Sequence, residues 1–273
     1  MPRPSASPQI LAILSSLIEE KTGIHYGAAD FDLLRDKVMP RAEELGCDSL
    51  LDYYYLLRYD DECDREMDSL IDLLVVPETY FFREFDALKV AVRDLLVSKV
   101  EAGERPRIWC AACATGEEPL TVAMLLAEAN ALGKVDLVAS DVSYRMLARA
   151  KAGEFGSRSV RSIPEQRLVT RFIERTEKSY RVKEDLGAAI DFRRVNLVDE
   201  RSITALGLFD VVLCRNVLIY FKDETAARVL SSIRKVLQPD GALFVGTAES
   251  LLRLGTSFSC EERSGAFFYR VSR

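Results

Sequence analysis

The chain has 273 residues and a net charge of −6. That length accommodates two domains, and the negative balance excludes the broad electrostatic attraction on which nucleic-acid binding rests. No apolar run reaches the ~18 residues of a membrane helix and the opening MPRPSASPQI has no signal core, so a cytoplasmic protein, not membrane-embedded, with reduced cysteines is expected.

Residues 1–76 read as an N-terminal all-α domain. Ile10, Ile13, Leu14, Leu17 and Ile18 recur at helical spacing, as do Phe31, Leu34, Val38, Ala42 and Leu45, with Gly46 as a stop. Pro40 should kink or break the second helix, at a cost of ~3 kcal/mol. Ser49 can cap a third helix through Leu57, and a fourth carries Met67, Leu70, Ile71 and Leu74. Arg35, Lys37 and Arg41 mark a basic outer side, fitted either to an acidic partner helix or simply to solvent. His25 is the single histidine of the chain, which removes His-based triads and multi-His metal sites.

Residues 77–92 form a linker and active-site segment. Pro77 disfavours helix just before it. The consecutive aromatics Tyr80, Phe81 and Phe82 suit a packing strip better than one helix face, and Arg83 follows them. An Arg so placed is either a snorkelling packing residue or a guanidinium fork aimed at a carboxylate in a partly dry cleft. From Phe85 a helix is expected to run through Leu88, Val92 and Leu95 to Val100.

Arg107 to Asp141 reads as strand, turn, helix, strand. Small residues from Ala111 to Gly116 make a turn that a ligand can approach closely. Glu117 and Glu118 begin the helix, where its dipole favours negative charge, and Pro119 suits the first turn. Asp141 lies at the carboxyl end of the strand from Val135 to Ser140, about 20 residues or slightly more beyond the turn, where nucleotide-binding α/β folds hold a ribose hydroxyl. The two acids would repel a pyrophosphate, so a neutral or cationic nucleoside such as S-adenosylmethionine fits; the alternative is an ordinary helix start with solvated acids. Cys110 and Cys113 form a C-x-x-C without a second such pair, and are discounted as a metal or redox site.

Beyond Asp141 a helix spans Ser143 to Ala152, then a polar stretch from Gly153 to Gly187 contains a short helix at Pro164 to Ile173 and a short alternating strand at Tyr180. Ile190 to Val195 is a strand leading into Asn196 and Leu197. The apolar run Phe209 to Cys214 reads as a central parallel strand ending in Arg215 and Asn216, at the edge where open α/β sheets bind ligands. A helix from Lys222 to Leu237, a turn at Pro239-Asp240-Gly241, a strand from Ala242 to Gly246 and a hairpin around Arg263-Ser264-Gly265 complete the chain.

Three blocks carry a family resemblance: Pro77 to Glu84 (PETYFFRE), Cys113 to Ala123 (CATGEEPLTVA) and Cys214 to Phe221 (CRNVLIYF). They resemble, in order, the motifs of the bacterial chemotaxis-receptor glutamate O-methyltransferases, the CheR family. The resemblance implies an α/β fold, a Rossmann-like class I methyltransferase sheet over 93–273 with a small β-subdomain at about 153–190, behind the all-α domain. It implies S-adenosyl-L-methionine as cofactor, with S-adenosyl-L-homocysteine as product, bound by Thr79, Arg83, Glu117, Asp141, Asn196, Leu197, Arg215 and Asn216. It implies Arg83 and Tyr220 as catalytic positions, and Lys37 and Arg41 as contacts to the cytoplasmic helical domain of methyl-accepting chemotaxis receptors, by a monomer. Pro77 stands where the family has an Asn, and Glu43 where a basic residue is common. These departures motivate an alternative, a cofactor-binding regulatory interaction module with little or no methyl transfer; a methyltransferase of another acceptor is a third reading. In some members the β-subdomain docks a receptor C-terminal peptide; the glycine-free turn between Arg175 and Tyr180 favours a member without that tether.

Overall fold

The computed structural model describes residues 7–272, in two compact units. One comprises the chain up to Val76 with Tyr220–Thr225, and the other Pro77–Ile219 with the chain from Ala226 onward.

The first unit holds α1 (Pro8–Thr22), α2 (Phe31–Glu44), α3 (Leu50–Tyr59) and α4 (Cys63–Leu74). Ser7 caps α1 by accepting from the Ile10 N–H, and Ser49 caps α3 by accepting from Asp52. Leu14, Ile18, Leu34, Val38, Leu50, Tyr53, Leu70 and Leu74 are buried. The core stripe of α1 includes Leu11 instead of Ile13, which is 44% exposed. Pro40 does not interrupt α2. Pro40 and Asp36 are both exposed, so water can serve the carbonyl that loses its intrahelical donor.

Helix α5 (Phe85–Lys89), a π-helical stretch (Val90–Leu96) and α6 (Val97–Glu101) open the second unit. The expected single α-helix is widened in the middle. Val90, Ala91, Val92 and Leu96 are all buried there, a run too broad for one 3.6-residue face.

The sheet is then built by β1 (Arg107–Ala111), α7 (Glu117–Glu128), β2 (Asp136–Asp141), α8 (Tyr144–Ala152) and the insertion. The insertion contains β3 (Glu154–Phe155), a 3₁₀ turn (Ser157–Val160), α9 (Gln166–Phe172), β4 (Ile173–Arg175), β5 (Tyr180–Val182) and α10 (Glu184–Ala188). The chain continues through β6 (Ile190–Arg194), α11 (Glu200–Thr204), β7 (Phe209–Cys214), α12 (Asp223–Lys235), β8 (Leu237–Phe244), β9 (Phe258–Arg263) and β10 (Ala266–Val271). The seven-stranded sheet has the order β6-β2-β1-β7-β8-β10-β9, while β3, β5 and β4 make a separate three-stranded antiparallel sheet.

Strands β6, β2, β1, β7 and β8 are parallel, and β10 runs antiparallel to both β8 and β9. Ala111 is in register with Ser140 on one side and Cys214 on the other. The carboxyl ends of β1, β2 and β7 are therefore flush. Three segments leave the sheet at one level: the small-residue turn, Asp141, and Arg215-Asn216. The expected turn at Pro239–Gly241 lies inside β8, where pairing with β7 jumps from Leu237 opposite Phe209 to Ala242 opposite Val211; the extra residues are accommodated as a bulge.

Candidate active site

The turn after β1 is held in an unusual backbone shape. Ala112 and Ala114 have φ of 54° and 46°, and Gly116 has 94°. Left-handed backbone at a non-glycine residue costs about 1–3 kcal/mol and collects at ligand sites. A Cβ at Gly116 would lie 2.8 Å from that of Ala150 on α8, so only glycine lets α7 and α8 approach this closely. Asp141 fixes the turn: its carboxylate accepts from the Ala114 N–H (2.9 Å) and the Ser143 N–H (3.0 Å). The Val195 N–H donates to the Asp141 carbonyl, which draws Asn196 and Leu197 to the same edge. Asn196 Oδ1 accepts from the Val198 N–H, and Leu197 is buried.

Glu117, at the first position of α7, is only 2% exposed. Its two oxygens accept from the Thr115 hydroxyl (2.7 Å) and the Ser159 hydroxyl (2.7 Å). Both donors are neutral, and the carboxylate has no ion-pair partner among the described residues. A buried anion normally has a cationic complement. The helix dipole supplies part of that here, and a ligand ammonium would supply the rest.

The aromatic strip is pinned to the same helix. The Phe82 N–H donates to the Thr121 hydroxyl (3.2 Å), which itself donates to the Glu117 carbonyl (2.7 Å). Phe82 and Glu84 both adopt left-handed backbone, φ 64° and 49°. Thr79 is half-buried. Arg83 is half-buried too, donating from Nη1 to the Glu78 carbonyl (2.8 Å), and it has no ion-pair partner among the described residues.

Arg215 is the charged hub. Its side chain is buried between two carboxylates, pairing with Glu118 through Nη1 and with Glu84 through Nη2 (3.1 Å), and it donates to the Arg83 carbonyl (2.7 Å). Its Nε is buried without a hydrogen-bond partner. Burial pushes the Glu118 carboxyl up despite the pull of Arg215. For Glu84, burial also raises the carboxyl, but Arg215, the Asn216 amide and the Thr247 N–H together bring it below its ordinary range. The Cys110, Cys113 and Cys214 thiols are buried and pushed well up, which keeps them protonated and inert.

Sequence reasoning missed Glu249. This buried carboxylate accepts from three backbone N–H groups, those of Asn216 (2.6 Å), Gly246 (2.7 Å) and Ile219 (3.2 Å). It ties the exits of β7 and β8 together and holds Asn216 at φ 58°, while the Asn216 amide donates to Glu84 (3.2 Å). The available signal was positional: Glu249 lies five residues beyond β8, as Asp141 closes β2, each an acid near the carboxyl end of a strand. Glu84, Glu118 and Ser159 were likewise not picked out as partners, because each acts across more than thirty residues of chain.

The structure thus brings Thr79, Arg83, Glu117, Asp141, Asn196, Leu197, Arg215 and Asn216 to one side of the sheet. Tyr220 belongs to the segment that packs with the helical unit, where its carbonyl accepts from the His25 N–H (2.9 Å) and Phe221 bridges Ile24. Lys37 and Arg41 are engaged within that unit. Lys37 donates to the Leu74 carbonyl (3.0 Å), and Arg41 makes a two-point pair with the buried Glu66, which also accepts from the Tyr53 hydroxyl. Arg41 therefore serves the packing of α2 against α4.

The residues at the sheet edge suit S-adenosylmethionine. A buried carboxylate without a cation faces the demand of an ammonium, and an unpartnered guanidinium N–H and a half-buried Arg offer donors. The comparisons agree. Residues 10–75 match the family described as CheR methyltransferase, all-alpha domain, and residues 77–266 match CheR methyltransferase, SAM binding domain. Chemotaxis protein methyltransferase 2 of Vibrio cholerae is 33% identical over 92% of this chain and 89% of its own. Chemotaxis protein methyltransferase 1 of Pseudomonas aeruginosa is 33% identical over 98% of this chain and 99% of its own. The chemotaxis protein methyltransferase of Escherichia coli K12 is 31% identical over 95% of this chain and 90% of its own. The chain belongs to the CheR methyltransferase family and is a methyltransferase that uses S-adenosylmethionine.

Proposed function

We propose that this methyltransferase forms glutamate methyl esters on the cytoplasmic helical domain of chemotaxis receptors. The observation that carries the acceptor class is Arg83, a half-buried guanidinium with no ion-pair partner among the described residues, at an edge whose other cation, Arg215, is already paired with Glu84 and Glu118. Such a group is a ready seat for a carboxylate. Bound S-adenosylmethionine supplies an electrophilic methyl group on a sulfonium. A receptor carboxylate is already ionised at neutral pH and needs no base. An amine, thiol or hydroxyl acceptor would have to lose a proton. The thiols at this edge are held protonated, and its carboxylates are committed to donors.

The work of the protein is then positioning and exclusion of water. Asp141, Asn196 and Leu197 hold the nucleoside. Glu117 and Thr79 hold the amino-acid end, and Arg215 and Asn216 line the pocket. Arg83 orients a carboxylate, and Tyr220 is the second catalytic position by its place in the CRNVLIYF block. The relatives named for chemotaxis support a cytoplasmic enzyme acting on a receptor, and no helix among the described residues is long and apolar enough to cross a membrane. Transfer of labelled methyl from S-adenosylmethionine to a receptor cytoplasmic fragment tests this. Base-labile label, lost in Arg83→Ala, is the expected result. Tight S-adenosylhomocysteine binding without any label in the fragment would instead establish the regulatory module raised by Pro77.

A further inference from the structure

The insertion between β2 and β6 reaches the cofactor edge through Ser159 and its neighbours. Ser159, in the 3₁₀ turn Ser157–Val160, makes two contacts of different kinds. Its hydroxyl donates to Glu117 Oε1 (2.7 Å), and its carbonyl accepts from the Phe81 N–H (2.8 Å). The flanking residues close over the same strip. Phe155 packs edge-on against Phe81 with ring centroids 4.8 Å apart, and Arg161 pairs with Glu78 (2.6 Å) while lying over the Tyr80 ring at 4.0 Å.

We propose that Ser159 is a positioning residue for cofactor binding, acting through Glu117, and that the insertion is thereby a working part of the cofactor site. The inference rests on the reading of Glu117 as a cofactor-binding carboxylate. A carboxylate on a flexible stem loses rotamer freedom when it holds a ligand. Hydroxyl donors on both oxygens remove that freedom beforehand and leave one lone pair on each oxygen for the ligand. Thr115 comes from the same turn as Glu117, two residues away. Ser159 comes from across 42 residues of sequence, so only the folded insertion delivers it. Because the Ser159 carbonyl also holds the strip that carries Thr79 and Arg83, one residue sets the spacing of two cofactor-contacting elements.

The test is calorimetry of S-adenosylhomocysteine binding to the full chain, with urea unfolding and amide hydrogen exchange as controls. Ser159→Ala removes the hydroxyl and keeps the carbonyl contact. It is expected to weaken binding roughly tenfold, the scale of one lost hydrogen bond to a charged group, with the Phe81 amide still protected. Ser159→Thr restores the donor and is expected to restore affinity. Glu117→Gln is expected to weaken binding as well, and Ser159→Ala added to it to have little further effect, because the two act as a unit. Weakening by Glu117→Gln alone, with Ser159→Ala binding as wild type, overturns the role of Ser159 and leaves the cofactor reading standing. Unchanged affinity in both variants overturns both. A loss in Ser159→Ala that Thr fails to restore, or that adds fully to Glu117→Gln, assigns Ser159 to packing and overturns the proposal.

Discussion

The two edges of the central sheet are built from the same kinds of residue and behave oppositely. At the amino edge, Arg105 pairs with Asp136 (2.8 Å), Arg193 with Asp191 (2.6 Å) and Lys99 with Asp210 (3.1 Å) and Asp240 (3.0 Å). Apart from Asp210, these acids are exposed or half-exposed. The cleft there, about 340 Å³ and bordered by Arg105, Asp136 and Arg193, is a groove between satisfied surface pairs. At the carboxyl edge, Glu117, Asp141, Arg215 and Glu249 are each at most 7% exposed, and Phe82, Glu84, Ala112, Ala114 and Asn216 hold left-handed backbone. Buried charge and strained backbone are both costly. They gather at the edge whose residues suit S-adenosylmethionine, whereas the amino edge has Asn130 in left-handed backbone and one largely buried pair, Lys99 with Asp210.

The contrast is breakable, beginning where the largest effect is expected. Arg215→Met strands Glu84 and Glu118 in a buried setting, and should cost about 3–5 kcal/mol of stability in urea unfolding. A loss below ~1 kcal/mol would show that the carboxylates relax into water and that the hub is not structural. Asp141→Ala should weaken S-adenosylhomocysteine binding by about 1.5–3 kcal/mol in calorimetry; unchanged affinity removes Asp141 from the cofactor site. Gly246→Ala would drive a Cβ into Asn216 Nδ2 and to 2.8 Å from Glu249 Oε2, so a loss of about 1–3 kcal/mol is expected from the overpacked junction.

Acid sharpens the same comparison. The folded Glu84 carboxyl lies below its ordinary 4.5, so its contribution is present above that pH and lost as pH falls through the folded value. Glu118 lies above 4.5 and has the opposite sign; its charge burdens the folded state at neutral pH and is relieved on acidification. The stability deficit of Glu84→Gln should therefore shrink below pH 4.5, whereas a deficit independent of pH would detach Glu84 from the Arg215 pair. The smallest effect belongs to the amino edge. Arg193→Ala should change stability by only ~0.2–1 kcal/mol and leave cofactor affinity unmoved. A shift as large as that of Asp141→Ala would dissolve the distinction between the edges.

Much of this molecule is legible from periodicity and punctuation. Ser49 before an apolar stripe, Ser143 before another, and the apolar run Phe209 to Cys214 each correspond to an element whose ends the structure places within a residue or two. Where local rules conflicted with context, context prevailed. Pro40 stays within α2, where it and Asp36 lie on the exposed side and water can serve the freed carbonyl, and the helix after Phe85 widens because its apolar residues are consecutive. The basic positions on α2 show the limit of reading charge without its partners. Their charge is visible in the sequence, but their partners are not: Arg41 turns to Glu66, 25 residues away, and Lys37 to a carbonyl 37 residues away.

The amino-acid order by itself determined where β2 and β7 end, which residues follow them, and that an acid stands at the start of α7 and another at the carboxyl end of β2. Those are properties of neighbours in the chain, set by spacing, capping and propensity. Tertiary structure alone decided which charges face which. Glu118 and Glu84 share Arg215, Glu249 clasps three amides, and the insertion delivers Ser159 to Glu117. Such pairings depend on the parallel register that makes the ends of β1, β2 and β7 flush. Register arises from packing the whole sheet, and no window of the sequence contains it.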